Sequence, residues 1–437
     1  MQKTIFALAS GNQKAALSII RVSGAESRKI LERLTLKKIP KERTLALRSF
    51  YFPEDKKNII DKCLVAWMPA PRSYTGEDSL EIYSHGGQAV FQSFFLALSS
   101  LPNVKYAEQG EFSKRAVING KIDLVEAEAI NDLINSQTET QRSLAIKQYS
   151  NGLSLPVRSW RNKIIKCMAL IEASIDFSDE ADTPSKLEIE KDLLKLKNEI
   201  KDAINNNEYY EMINSGIKVV FKGKPNAGKS SIFNSIIKKE KSIVSNSPGT
   251  TRDIIEGSIN FKGHAITFYD TAGIAKTKNK VEKEGIKRTN KLLKKADIIL
   301  NVSEEEKFLN INKKKTEWMI LNKIDLKRPL NQKTDKKIFY VSAKTGEGLD
   351  DVLYTIYEEI VKKSKSYDNS KAMVANVRQA NELREAENNI AKALKESSEE
   401  IIAEYLRQAN ECLERIIGNI DIEEVLGKIF SNFCIGK

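Results

Sequence analysis

The run Gly223-Lys-Pro-Asn-Ala-Gly-Lys-Ser230 constrains this chain more than any other feature. It reads GxxxxGKS, follows the apolar run IKVVF and precedes SIFNSIIKK, whose apolar residues fall at helical spacing. A strand, a glycine-rich turn and a helix in that order build a phosphate-binding loop. The glycines let backbone N–H groups close on phosphate oxygens, and the helix N-terminus adds its partial positive charge. Lys229 is expected to reach the β- and γ-phosphates, and the Ser230 hydroxyl to ligate Mg²⁺. Asn226, Ala227, Gly228 and Ser231 complete the expected nucleotide contacts of this loop.

Four further elements stand around it. Asp270-Thr271-Ala272-Gly273 closes the apolar run AITFY. Its carboxylate can hold the metal through water, and the Gly273 N–H can meet the γ-phosphate. Asn322-Lys323-Ile-Asp325 follows WMIL; a carboxylate there accepts from N1–H and the 2-amino group of guanine, which adenine does not offer. Ser342-Ala343-Lys344 after IFYV completes a base-binding loop, and Gly249-Thr-Thr-Arg-Asp253 lies where a switch loop should, with Thr251 as the second Mg²⁺ hydroxyl. Together these resemble the translation-factor branch of GTPases. Many GTPases carry Gln after the DTAG element to orient the attacking water; here that position is Ile274, which cannot hydrogen-bond to water. The catalytic group must come from elsewhere. Carboxylates follow in Val281-Glu-Lys-Glu284, a stretch whose chemistry alone favours a solvated helix face. The Asn226 side-chain carbonyl could hold a monovalent cation, whose charge beside the phosphates would serve as an arginine finger does.

The rest of the chain frames this domain. Its 437 residues correspond to about three domains at roughly 150 residues each. Residues 1–120 mix short apolar runs with turn signals and read as an α+β domain. Residues 121–213 carry apolar residues at helical spacing, residues 214–365 alternate strand-like and helical runs around the phosphate loop, and residues 366–437 are helical again. The fold expected is therefore a multidomain α/β and α chain. An all-α helical domain is split by an inserted parallel-sheet P-loop GTPase domain; two separate helical domains are the rival arrangement. Net charge is +12, from 71 Lys+Arg against 59 Asp+Glu, which fits either a polyanionic partner or a merely Lys-rich composition. Charged residues at 30% and hydrophobic ones at 41% exclude a collagen-like, a low-hydrophobicity disordered or a polytopic membrane chain. Cys63, Cys167, Cys412 and Cys434 form no CxxC pair, so neither a zinc site nor a disulfide framework is expected, and a reducing compartment fits. His85 and His264 are the only histidines, a poor basis for His-dependent catalysis. No apolar run of about 18 residues and no signal peptide are read, which points to the cytoplasm.

The two ends are more specific than the GTPase motifs. Arg21–Gly24 is RVSG, Ser73–Gly87 is SYTGEDSLEIYSHGG, Gly110–Ile134 is GEFSKRAVINGKIDLVEAEAINDLI, and the chain closes on Cys434-Ile-Gly-Lys437. With PNAGKSS, GTTRD and DTAGI between them, the sequence resembles the MnmE (TrmE) family of tRNA-modification GTPases over nearly its whole length. The resemblance implies an N-terminal domain that forms a homodimer and binds a folate one-carbon carrier, 5-formyl- or 5,10-methylene-tetrahydrofolate. It implies a heterotetramer with the FAD-dependent flavoprotein MnmG (GidA). Together the two proteins add an aminomethyl or carboxymethylaminomethyl group at C5 of the wobble uridine of certain tRNAs. It also implies hydrolysis of GTP driven by K⁺-dependent pairing of two G domains. By motif, the folate contacts fall on Arg21, Glu81, Lys121 and Lys437, whose charges suit the glutamate tail and the pterin amine. Cys434 matches the essential C-terminal cysteine and Glu282 the catalytic carboxylate. The K⁺ ligands fall on Asn226, Ser245, Ser247 and Thr250, within a nucleotide-contacting stretch of Ser245, Asn246, Ser247, Pro248, Gly249, Thr250 and Thr251. Where the family often has Arg-Glu after DTAGI, this chain has Ala275-Lys276.

A GTP-switched RNA- or ribosome-assembly factor is the alternative. It would share the GTPase motifs and the charge. It would need an RNA-binding module beside the G domain, and no basic GxxG loop is present; a terminal Cys-Ile-Gly-Lys would serve no purpose in it.

Overall fold

The computed structural model describes residues 2–11, 14–176, 186–205, 207–239, 242–243, 255–271, 290–305, 317–327, 337–365, 374–418, 429–430 and 433–436. The chain divides into two compact units. One comprises Met1–Asn131, Val157–Lys166 and Leu406–Lys437; the other comprises Asp132–Pro156 and Cys167–Tyr405.

The first unit is built on strands β1 (Thr4–Leu8), β2 (Leu17–Ser23), β3 (Leu45–Tyr51), β4 (Ile59–Met68), β5 (Ser79–His85) and β6 (Val104–Tyr106). Their order is β3-β4-β5-β2-β1-β6, antiparallel except for the β1–β6 pair. Alternation along each strand sorts the two faces. Ile20, Val22, Val65, Trp67, Leu80 and Ile82 are buried in one core with Ile30, Leu31 and Leu34 of helix Ser27–Thr35 and Phe94, Ala97 and Leu98 of helix Gln88–Ser99. On the other face, register aligns Leu47, Leu64, Tyr83 and Ile19 in one row, and Leu45, Ala66, Glu81 and Arg21 in the next. Leu45, Leu47 and Leu64 are exposed there. Phe112 of helix Glu111–Ile118 packs with Ile5 and Ala7 of β1.

The C-terminal segment belongs to this unit. Phe430 and Phe433 pack with Val117, Leu124 and Ala127, and Ile435 pairs with Gln109 in an isolated antiparallel bridge. Gly110 lies at φ +65°, and a Cβ there would stand 2.8 Å from Phe430. Only glycine meets both demands without strain.

The second unit holds strands β7 (Ile217–Gly223), β8 (Ser242–Ile243), β9 (Ile255–Phe261), β10 (His264–Asp270), β11 (Ile298–Ser303), β12 (Glu317–Leu321) and β13 (Ile338–Tyr340). Their order is β13-β12-β11-β7-β10-β9-β8, parallel from β13 to β10, with β9 antiparallel to β10 and β8 to β9. Every residue of β12 is buried, as a central parallel strand covered on both faces requires. Helices flank this sheet in sequence and meet in space: Lys186–Asn205 packs against Val377–Ala393. Leu193, Leu196, Ile200 and Ala203 from the first, and Ala380, Leu383, Ala386 and Ile390 from the second, are buried at i, i+3 and i+4 spacing. The helices on either side of the inserted sheet thus close on each other, as an insertion into one helical domain demands. Helix Asn207–Ser215 leads into β7 through Gly216, at φ +68°. The Thr138–Gln141 capping box starts helix Glu139–Asn151, and Gln141 Nε2 donates to the carbonyls of Ile213 (3.3 Å) and Asn214 (3.1 Å). Among the described residues no helix is long and apolar enough to cross a membrane.

Candidate functional site

The phosphate loop lies at the C-terminal end of β7, between that strand and helix Lys229–Lys239. Its path needs left-handed backbone at Asn226 (φ +66°) and Gly228 (φ +88°). Asn tolerates that region better than most side chains do. Gly228 has a second reason: a Cβ there would lie 2.1 Å from Asn322 Nδ2. Lys229 is buried, and its Nζ donates to the carbonyls of Gly223 and Lys224, both at 2.9 Å. Burial pulls its pKa down, while the charge of Asp270 pushes it back up. Asp270 is itself buried at the end of β10, and Thr271 Oγ1 donates to the Phe221 carbonyl at 2.8 Å, tying the DTAG element to β7. An open cleft of about 670 Å³, lined by Gly223, Lys224, Pro225 and Ala227 on one side and Asn301–Glu305 on the other, lies beside the loop.

The base-recognition elements are wired to the phosphate loop. Asn322 is buried; its Nδ2 donates to the Ala227 carbonyl at 3.2 Å, and its Oδ1 accepts from the Ala343 N–H at 3.2 Å. One side chain thus joins three motifs far apart in sequence. Ser342 Oγ donates to Asp325 Oδ1 at 2.7 Å and accepts from the Thr345 N–H at 3.2 Å, fixing the carboxylate expected to read guanine. Lys323 pairs with Glu304, and Lys344 is exposed. Ser230 and Ser231 occupy the first turn of the helix after the loop. Ser245, Asn246, Ser247, Pro248, Gly249, Thr250, Thr251, Ala272, Gly273 and Glu282 lie outside the described residues, as does Lys437.

A second constellation sits on the open face of the six-stranded sheet. Arg21 and Glu81 are directly opposite across β2 and β5, and the guanidinium reaches Glu81 Oε1 through Nε (3.0 Å) and Nη2 (2.8 Å). Arg21 lies over the rings of Tyr74 (5.3 Å) and Phe112 (5.8 Å). Its Nη1 points to the Gly436 carbonyl at 3.5 Å, so the last described residue of the tail meets the first signature. Tyr83 donates to Glu81 Oε2 at 2.9 Å; burial, then the Glu81 hydrogen bond and charge, push the phenol pKa up. Gly436 is at φ +99°, and a Cβ there would stand 2.3 Å from the Leu8 carbonyl oxygen. Cys434 is exposed, whereas Cys63, Cys167 and Cys412 are buried.

The loop that carries Tyr74 is pinned from beneath. Arg115, 1% exposed, donates to both oxygens of Glu77 (3.2 and 3.1 Å), to Glu111 (2.9 Å) and to the Lys3 carbonyl (2.8 Å). Burial pushes the Glu111 pKa up, but the Glu108 N–H, Arg115 and Lys105 outweigh it and leave it lowered. Tyr74 itself bonds to Ser113 at 2.8 Å, and Asn119 Nδ2 donates to the Thr75 carbonyl at 2.7 Å. Carbons of Lys121 come within 3.1 Å of where a Cβ on Gly76 would be, so this lysine borders the same loop. Of the residues expected to hold folate, Arg21 and Glu81 are thus joined, and Lys121 borders the loop that carries Tyr74. Sequence reading missed Tyr74, Phe112 and Tyr83. All three lie inside or beside the quoted signatures, but spacing gave no sign that two rings would flank Arg21.

The nucleotide elements, on a parallel sheet inserted between helices, define a P-loop GTPase domain. Comparison with known proteins carries the assignment to both ends of the chain. The family profile described as the MnmE helical domain matches residues 124–434, and that of the GTP-binding protein TrmE N-terminus matches residues 4–121. The tRNA modification GTPase MnmE of Agrobacterium fabrum is 38% identical over 449 residues, covering 99% of each chain. That of Rickettsia canadensis is 38% identical over 448 residues, covering all of both chains. Among solved structures, the G domain of the T. maritima FeoB iron transporter is 28% identical, covers 32% of this chain and 97% of its own, and has a TM-score of 0.24. The chain belongs to the MnmE family of tRNA modification GTPases.

Proposed function

We propose that this protein hydrolyses GTP in order to modify C5 of the wobble uridine of tRNA. It would act with a flavoprotein partner of the MnmG kind and use a tetrahydrofolate one-carbon unit. The observation that carries this beyond GTP hydrolysis is the tail. Gly436 lies against the Arg21–Glu81 pair, and Ile435 is bridged to Gln109, which holds exposed Cys434 at the N-terminal sheet. A bare GTP switch has no need of a thiol fixed there. Arg21 and Lys121 supply cations for the carboxylates of a folate tail, and the Tyr74 and Phe112 rings supply flat apolar surface for a pterin. Glu81 accepts from the pterin amine, and Lys437 adds a further cation. The exposed apolar patch of Leu45, Leu47 and Leu64 lies on the same sheet face as this site and suits burial against a second copy in a homodimer.

In the GTPase domain, Lys229 would exchange its two loop carbonyls for phosphate oxygens, a charge-assisted contact of the same kind. Ser230 and Thr251 would hold Mg²⁺. Asn226, with backbone groups of Ser245, Ser247 and Thr250, would hold K⁺, whose charge offsets that building on the phosphates. Glu282 takes the water-orienting role that Ile274 cannot perform.

The test is mass spectrometry of wobble-uridine nucleosides from cells lacking this protein and regaining either the native chain or Cys434→Ser. Restoration by the native chain alone is expected. Full restoration by Cys434→Ser would remove the tail from the chemistry.

A further inference from the structure

The positive charge of the first unit is not evenly spread. Between Ser27 and Arg48 there are eight basic residues and two acidic ones, a local net of +6 against +12 for the whole chain. The fold turns these cations outward. Helix Ser27–Thr35 buries Ile30, Leu31 and Leu34 at 3% exposure or less, so Arg28, Lys29, Glu32 and Arg33 face solvent. Leu36 closes the helix in the left-handed region at φ +54°, and exposed Lys37 and Lys38 follow at once. Of the acids in and beside this stretch, Glu32 lies 3.7 Å from Arg28 and Glu26 lies 3.1 Å from Lys29, while Glu42 is exposed between Lys41 and Arg43. Among the described residues Arg33, Lys37, Lys38 and Lys41 have no acidic partner.

The stripe continues toward the candidate folate site. The Arg43 N–H donates to the Trp67 carbonyl at 2.8 Å, and its guanidinium donates to the Arg72 carbonyl, which ties the end of the basic segment to the loop that carries Arg72. Arg72 lies in the β4–β5 loop, two residues before Tyr74, the ring on Arg21. The exposed cations of helix Ser27–Thr35 and of the segment after it are thus followed in the chain by Arg43, which is tied to the loop whose Tyr74 ring meets Arg21.

We infer that this stripe docks the phosphate backbone of tRNA and leads the strand toward the Arg21 face. Unpaired, solvated Lys and Arg side chains along one rail are what a sequence-independent phosphate contact requires, with affinity arising from released counterions. The occupant rests on the proposed tRNA substrate. Base reading is not asked of this surface; it positions, and other parts specify.

The experiment is fluorescence anisotropy of the full chain with a labelled, unmodified tRNA transcript, titrated at several salt concentrations. The variant is Lys37→Glu/Lys38→Glu. A charge-matched control, Lys191→Glu/Lys195→Glu, changes exposed residues of helix Lys186–Asn205. The expected result is about a tenfold or greater loss of affinity for the first variant only. Its log K against log salt line should become shallower by roughly 1.5–2, the share of two lost phosphate contacts. GTP hydrolysis without tRNA should stay at the native rate in both variants. Equal affinity in variant and native chain, or an equal loss in the control, overturns the proposal. Binding is measured apart from modification, so failure of the wobble-uridine assay and failure of this assay are separate outcomes.

Discussion

The two sites are made from different materials. The nucleotide site is mostly backbone and short loops at the C-terminal ends of parallel strands, the usual place for ligands on such a sheet. Its defining contacts sit within motifs, and Asn322 then ties those motifs together through the Ala227 carbonyl and the Ala343 N–H. The Arg21 site is made of side chains on the open face of an antiparallel sheet, closed by a tail that returns from the far end of the chain. The first depends on loop geometry that only certain residues can adopt. The second depends on long-range register, with Arg21 opposite Glu81 and Gly436 against Leu8. The two should therefore fail separately.

The largest separation should come from Gly228→Ala. The added methyl would sit 2.1 Å from Asn322 Nδ2 at a residue with φ +88°, so the loop cannot keep its path. A loss of at least about 100-fold in GTP affinity is expected, roughly 3 kcal/mol, read by titration with a fluorescent GTP analogue. Tetrahydrofolate binding by the same protein should stay within about twofold of native, since 1.4 kcal/mol is already a tenfold change. Joint loss of both would mean that the sites are not independent.

The converse variant is Gly436→Ala. At φ +99°, with the Leu8 carbonyl 2.3 Å from the new Cβ, the tail must lift. Folate affinity should fall about tenfold, near 1.4 kcal/mol, and wobble-uridine modification should fall with it, while GTP binding stays native. Unchanged modification would show that the tail's seat on the sheet is irrelevant to the chemistry.

That contrast also sets how much could be read in advance. GxxxxGKS, the Asp270 turn, Asn322–Asp325 and Ser342–Lys344 are contiguous motifs with a mechanism each, so the GTPase domain and its insertion between helices were legible. Arg21 and Glu81 were legible only through the family resemblance. No periodicity states that two strands lie side by side in one register, and none states that Tyr74 and Phe112 flank a guanidinium. Asn322's bridging role was hidden for the same reason: a base-reading motif gives no hint that its first side chain buttresses the phosphate loop. Net charge gave only a total, whereas its concentration on the outer face of helix Ser27–Thr35 needed the burial pattern.

A finer variant tests whether the base-reading part depends on placement or on composition. Ser342→Ala removes the 2.7 Å hydrogen bond to Asp325 but leaves in the chain every group proposed to contact guanine. A hydrogen bond to a charged group contributes about 1.5–3 kcal/mol, so GTP affinity should drop about tenfold or somewhat more. ATP should gain nothing. Native affinity in this variant would mean that Asp325 is held by other means.

The smallest effect separates the two units by pH. Burial, aided by the Asp61 charge, pushes the Cys63 thiol in β4 from 9.0 up to about 12. The unfolded thiol loses its proton near 9, while the folded one keeps it, so between those values the native state binds more protons. Stability from Cys63 is then complete below pH 9 and falls as pH rises toward 12, by at most about 1.4 kcal/mol per unit. His264 in the GTPase unit behaves in the opposite sense, because burial lowers its pKa below 6.5 and folding favours the neutral ring. Its contribution is present above 6.5 and is lost as pH falls below that value, toward the lowered one. Cys63→Ala should therefore flatten the alkaline limb of the thermal-unfolding profile and leave the acid limb alone, and His264→Gln should do the reverse. Both variants flattening the same limb would show that the two units do not titrate independently, which would collapse the contrast between them.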